Sequence, residues 1–162
     1  ADGNMNQLLK WQAAGILQGV PDVATIDTVP AYNDGDEASV SSLSDEALMN
    51  TAKGYLDINC AHCHRPEGNA SNTGLKLEYW RDYAEDGGLS HGTCKSPVAY
   101  GGGSLGFDVV PGSFEDSILD FRMETNNPGD RMPEIGRSLS HAEGVALINE
   151  WIKRLPSASC SS

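Results

Sequence analysis

The sequence predicts an all-α fold of few helices joined by long Gly-rich loops, and three observations carry that prediction. Apolar residues recur at helical spacing in four separate segments. Eighteen Gly and eight Pro break the rest of the 162-residue chain into irregular connections. A Cys60-Ala61-His62-Cys63-His64 run follows the second helical segment directly, and so loop-rich a chain calls for an organiser besides its own side chains.

The length suits one domain of ordinary size, or a domain of about 100 residues with an extension. Residues 1–40 read as an N-terminal helix and an extended strap packed on the domain. Residues 41–162 form the domain itself, with a core over 41–156 and a tail over 157–162. Its organisation is also compatible with one part of a larger multidomain protein.

In residues 4–18, Met5, Leu8, Leu9, Ile16 and Leu17, with Trp11 between, suit an amphipathic helix ending near Gly19. Residues 20–40 lack period and carry Pro, Gly and acids, as a strap does. From Ser42 onward a serine cap and early acids precede Leu48, Ala52, Tyr55 and Leu56, a helix that runs into Cys60. Residues 65–112 hold ten Gly and read as loop with at most a short strand pair. Ser113-x-x-Asp116 is expected to cap a short helix through Ile118, Leu119 and Phe121. Ser140-x-x-Glu143 is a capping box for the last helix, whose stripe is Val145, Ile148, Trp151, Ile152 and Leu155, closed by Lys153, Arg154 and Pro156.

Net charge is -12, and the eleven Lys and Arg nowhere cluster beyond a pair. The basic footprint that a phosphate backbone requires is therefore missing, so nucleic acid is not an expected partner. No stretch approaches the roughly 20 apolar residues that span a bilayer, so membrane insertion is not expected either. The first residues carry no charged or apolar leader pattern, and export is argued from chemistry instead.

The C-x-x-C-H run carries that chemistry. It is the attachment pattern of a c-type haem: two thiols at a helix end project from one face and bond the two vinyl groups of one porphyrin, while His64 lies under the iron. Two competing readings are a zinc half-site and a redox dithiol. Zinc would need further ligands, and Cys94 and Cys160 are single and far apart; a dithiol of the thioredoxin kind would follow a strand. His62, inside the run, is expected to point away from the iron.

A sixth iron ligand must come from afar, and the candidates are Met5, Met49, Met123, Met132, His91 and His141. Met132 is favoured because the residue before Pro133 is held extended, so a flexible thioether projects from a fixed loop. Met123 is second, as a helical position better suited to packing, and bis-His ligation is a further option. Cys94 and Cys160 are either a disulfide stapling the tail to the long loop or two free thiols. Covalent haem and a disulfide both belong to exported proteins, which favours the bond and a periplasmic or otherwise exported location.

These features together resemble the class I cytochrome c family, and more narrowly a bacterial group of monohaem periplasmic domains. The resemblance covers residues 41–156: a helix leading into C-x-x-C-H, a long middle, Met132-Pro133 and a closing helix with an aromatic. It implies a cytochrome c-like fold in which Ala52 and Leu56 cross the last helix near Trp151. It also implies that the Pro66 carbonyl holds the His64 ring N–H. The narrower likeness rests on Asn59 through Pro66, Pro111-Gly112-Ser113, Ser117-Ile118-Leu119 with Arg122, and Met132-Pro133.

Two departures stand out: the forty-residue extension, and the 67 residues between His64 and Met132. The implied function is carriage of single electrons by one covalent haem c, not enzymatic turnover. A haem-based sensor or peroxidase-like domain with a displaceable sixth ligand is the alternative. The haem propionates would need donors, for which Arg122, Arg131 and Trp80, with Tyr79, are candidates. The acidic chain implies redox partners with a basic docking patch.

Overall fold

The computed structural model describes residues 5–26, 28–30, 32, 40–99 and 104–161. Among these are four α-helices and no strands: α1 Gln7–Ala13, α2 Asp45–Leu56, α3 Ile118–Glu124 and α4 Ala142–Arg154. The strand pair allowed for in the long loop reduces to isolated bridges, such as Thr93 with Val109. Parts of the expected first helix and strap (residues 4, 27, 31 and 33–39), and residues 100–103 of the loop, lie outside the described residues.

α2 begins as its sequence dictates. Ser44 accepts a hydrogen bond from the Ala47 N–H at 3.2 Å, and Asp45 and Glu46 occupy the first turn, where a carboxylate meets the positive helix end. Past Leu56 the backbone widens into a π turn, Asp57–Ala61, which carries Cys60. Such turns break the regular ladder and reorient side chains, often at functional positions.

α4 starts one residue late for the expected capping box. His141, not Ser140, holds the N-cap position and makes no capping bond with its side chain. Tertiary partners decide the helix start instead: the Tyr55 hydroxyl lies 2.9 Å from His141 Nδ1, and the Tyr32 hydroxyl donates to the Glu143 carbonyl at 2.7 Å. α3 also starts late, because Ser113 bonds Asp116 within a preceding turn. There Ser117 donates to the Ser113 carbonyl and accepts from the Val110 N–H, which ties the turn to the loop before it.

α1 is shorter than expected and buries none of its residues; Asn6 caps its start, and Gly15 ends it at φ +71°. The strap makes firmer contact. Val29 packs where residue 54 of α2 has no side chain, since a Cβ at Gly54 would lie 2.2 Å from Val29 Cγ1.

The core is the crossing of α2 and α4, with α3 packed on α4. Leu48, Ala52 and Leu56 meet Leu147, Ile148, Trp151 and Ile152, and Ala52 is fully buried where the two backbones need a small residue. A disulfide joins Cys94 to Cys160 and closes the tail onto the long loop. No helix among the described residues is long and apolar enough to cross a membrane.

Candidate functional site

The π turn delivers Cys60 to the end of α2, and the next turn winds around its carbonyl. The N–H groups of Cys63 and His64 both donate to the Cys60 oxygen, at 3.1 and 2.9 Å. The chain then folds back tightly: a Cβ at Gly68 would lie 2.1 Å from the Cys63 carbonyl oxygen, so only glycine fits there. The Ala70 N–H donates to that carbonyl, and Leu77 N–H donates to the His64 carbonyl, which fixes the backbone on both sides of the ligand candidate.

The His64 ring is held by Thr73. Its Nδ1 lies 3.1 Å from Thr73 Oγ1. The Thr73 hydroxyl proton is already donated to the Ala70 carbonyl at 2.7 Å, so toward His64 the oxygen is the acceptor. Nδ1 therefore carries the proton, and Nε2 is left with its lone pair, the tautomer that binds a metal. Burial disfavours the imidazolium, and the charges of Arg122, His62 and Lys95 repel it further. Thr73 thus fills the role expected of Pro66, which is exposed. The reason is the tight turn at Gly68, which brings residue 73 rather than residue 66 against the ring.

Beside this turn opens a cleft of about 660 Å³, a size common for cofactor sites. Its lining includes Ile58 and Cys60, Met123, Met132 and Pro133, and Tyr55, His141 and Val145. Three large apolar side chains on its rim are exposed, Ile58 at 67%, Ile135 at 88% and Leu139 at 76%. A concentration of that kind marks a surface built to be covered. Tyr32 and Pro30 of the strap border an adjoining pocket of about 190 Å³ along Tyr55 and Ile58.

Met132 and Cys60 thus share one cleft although distant in sequence. Cys63 and His64 sit in the turn below it and are not among its lining residues. Met123 also lines the cleft, but it belongs to α3 and is 7% exposed within the core. His62 lines it from an exposed position, and His141 lines it while engaged with Tyr55. The other ligand candidates lie elsewhere: Met5 is exposed near the chain start, Met49 accepts the Trp151 indole N–H at 3.2 Å, and His91 is buried against Tyr83.

The expected propionate donors divide. Trp80 is not brought to the cleft: it is 72% exposed, with the Arg81 guanidinium stacked on its ring. Arg122 donates from Nε to the Asp130 carbonyl at 2.7 Å, and so braces the ligand loop. Arg131 Nε is buried with no hydrogen-bond partner, as is the Nε of Arg137, which lines the cleft. At the cleft, the orphaned N–H of Arg137 suits an anionic group within reach. Nothing in its sequence context had marked Arg137, an arginine after a loop glycine; nor had Thr73, which is recognisable only once the turn is folded.

Two thiols, an imidazole and a thioether are the donor types that a covalent haem would use. Among the described residues no three His, Cys, Asp or Glu side chains converge on a metal position, so no closed zinc site is formed. Burial, aided by Cys63, pushes the Cys60 thiol up to about 12. Comparison with family models, with curated proteins and with solved structures returns no match for this chain.

Proposed function

We propose that this chain is a monohaem c-type cytochrome, with a cytochrome c-like fold, that carries single electrons between redox partners outside the cytoplasm. The observation that carries the reading is that Cys60 of the C-x-x-C-H turn and Met132, 72 residues apart in sequence, line the same cleft. Cys60 and Cys63 would bond the porphyrin, His64 Nε2 and Met132 Sδ would be the axial ligands, and the apolar rim would cover the macrocycle. The bound group supplies a one-electron ferric/ferrous couple.

The chain's own residues set the conditions for that couple. Thr73 holds the His64 ring in its ligating tautomer. With His64, Met132 would hold the iron and leave small ligands no place to bind. Apolar surroundings and a thioether both favour the lower-charged ferrous state, which predicts a positive potential. The Cys94–Cys160 disulfide and thioether attachment both suit an exported protein. The net charge of -12 suits a partner with a basic docking patch.

The test is the visible spectrum of protein matured in a host that attaches haem, before and after denaturation in alkaline pyridine. Haem that stays with the denatured chain, together with the far-red band of iron–thioether bonding, supports the reading. A colourless protein would sink it. Attached haem that lacks the band and binds carbon monoxide when reduced would favour the sensor or peroxidase-like alternative.

A further inference from the structure

Beyond Met132 the loop has little backbone bonding to hold it. Among the described residues, none from 133 to 140 donates a backbone hydrogen bond, and Pro133 has no N–H to give. Its apolar side chains do not anchor it either, since Ile135 and Leu139 are among the most exposed in the molecule. Before it, the Arg131 N–H donates to the Asn127 carbonyl at 2.9 Å and the Met132 N–H to the Arg122 carbonyl at 2.7 Å.

Arg137 supplies what the backbone lacks. Its guanidinium donates to the Met132 and Thr125 carbonyls, to the Arg122 carbonyl at 3.3 Å and to Asn126 Oδ1 at 3.5 Å. One planar fork thereby joins the end of α3, the turn after it and the Met132 backbone. No carboxylate pairs with it among the described residues, although acids outnumber bases about two to one in the chain. The cation is used to gather carbonyls, and a rigid five-donor fork does this where a point charge on a flexible stem does it less well.

We infer that Arg137 is the positioning residue for the sixth ligand: by gathering the Arg122, Thr125 and Met132 carbonyls it keeps the Met132 thioether in the cleft and so keeps the site closed. This rests on the haem reading above. It assigns the choice between electron carrier and ligand-binding domain to a residue that touches neither Met132's sulfur nor the iron.

The experiment compares wild type, Arg137→Gln and Met132→Leu as haem-loaded proteins, by the far-red band and by carbon monoxide binding to the reduced form. Arg137→Gln is expected to retain covalent haem and helical circular dichroism, to lose the band, and to bind carbon monoxide as Met132→Leu does. An intact band with no carbon monoxide binding in Arg137→Gln overturns the inference and leaves the proposed function standing. Wild type with haem but without the band overturns it by removing Met132 as ligand, and wild type without haem overturns the proposed function itself. Should Arg137→Gln fail to fold, Arg137→Lys carries the same test: a weakened band with carbon monoxide binding supports the inference, and a full band overturns it.

Discussion

Replacing Thr73 with valine removes one hydroxyl that makes three hydrogen bonds: from His64 Nδ1 at 3.1 Å, from Leu75 N–H at 3.3 Å and to the Ala70 carbonyl at 2.7 Å. Each such bond contributes about 0.5–1.5 kcal/mol net, so the fold should lose roughly 2–3 kcal/mol. On the proposed haem reading, the effect on the ligand is separable. An acceptor on Nδ1–H makes the imidazole a stronger donor at Nε2, which favours the ferric state; without it the ferrous state gains. If about 1 kcal/mol of that bond differs between oxidation states, the midpoint potential rises by roughly 40 mV, since 1.4 kcal/mol corresponds to about 59 mV for one electron. Redox titration of wild type, Thr73→Val and Thr73→Ser measures this, and the serine, which keeps the hydroxyl, should restore most of the wild-type value. In the haem-free protein, nitrogen NMR should find the proton on Nδ1 of His64 in wild type and a tautomer mixture in Thr73→Val. A potential that stays put or falls in Thr73→Val would refute the assignment, as would equal shifts in both variants.

Three further outcomes are expected. Asp120 is 7% exposed, and burial, with Glu124 beside it, pushes its carboxyl up to about 6 from 3.8. A raised carboxyl contributes stability fully below its unfolded value and loses it as pH climbs through about 6, so Asp120→Asn should stabilise the protein at neutral pH by roughly 2–3 kcal/mol and flatten the pH dependence of Tm between those values. Reducing the Cys94–Cys160 bond, or changing both residues to serine, releases a closure of 66 residues and should cost roughly 4 kcal/mol in denaturant unfolding; an unchanged midpoint would remove the disulfide from the account. At Gly144 an added Cβ would lie 2.1 Å from the Tyr55 hydroxyl and 2.7 Å from His141 Nδ1, so Gly144→Ala should destabilise by about 1–2 kcal/mol despite its better helix propensity, read as a lower Tm.

How far the site could be read in advance depended on whether its chemistry was local. Cys60, Cys63 and His64 lie within five residues, so their spacing suggests a c-type haem attachment pattern without any knowledge of the fold. Met132 was legible because Pro133 constrains the residue before it, and the cleft does receive it. Trp80 is expected as a donor from its indole N–H alone, and Pro66 by family likeness. The fold instead turns Trp80 to solvent beneath Arg81 and sets Thr73 against His64. Both differences arise in the Gly-rich middle, where chain direction follows from turns such as Gly68 and Gly74 rather than from any apolar period.

The sequence by itself determined the all-α class, the α2 and α4 stripes and the serine cap of α2, because periodicity and capping act over a few residues. Tertiary structure alone decided where α3 and α4 begin and which side chain holds the His64 ring. It also decided that Arg137, unmarked in sequence, ties down the Met132 loop. Each of these depends on hydrogen bonds between segments that only packing brings within 3 Å or so of one another, and no local preference encodes that distance.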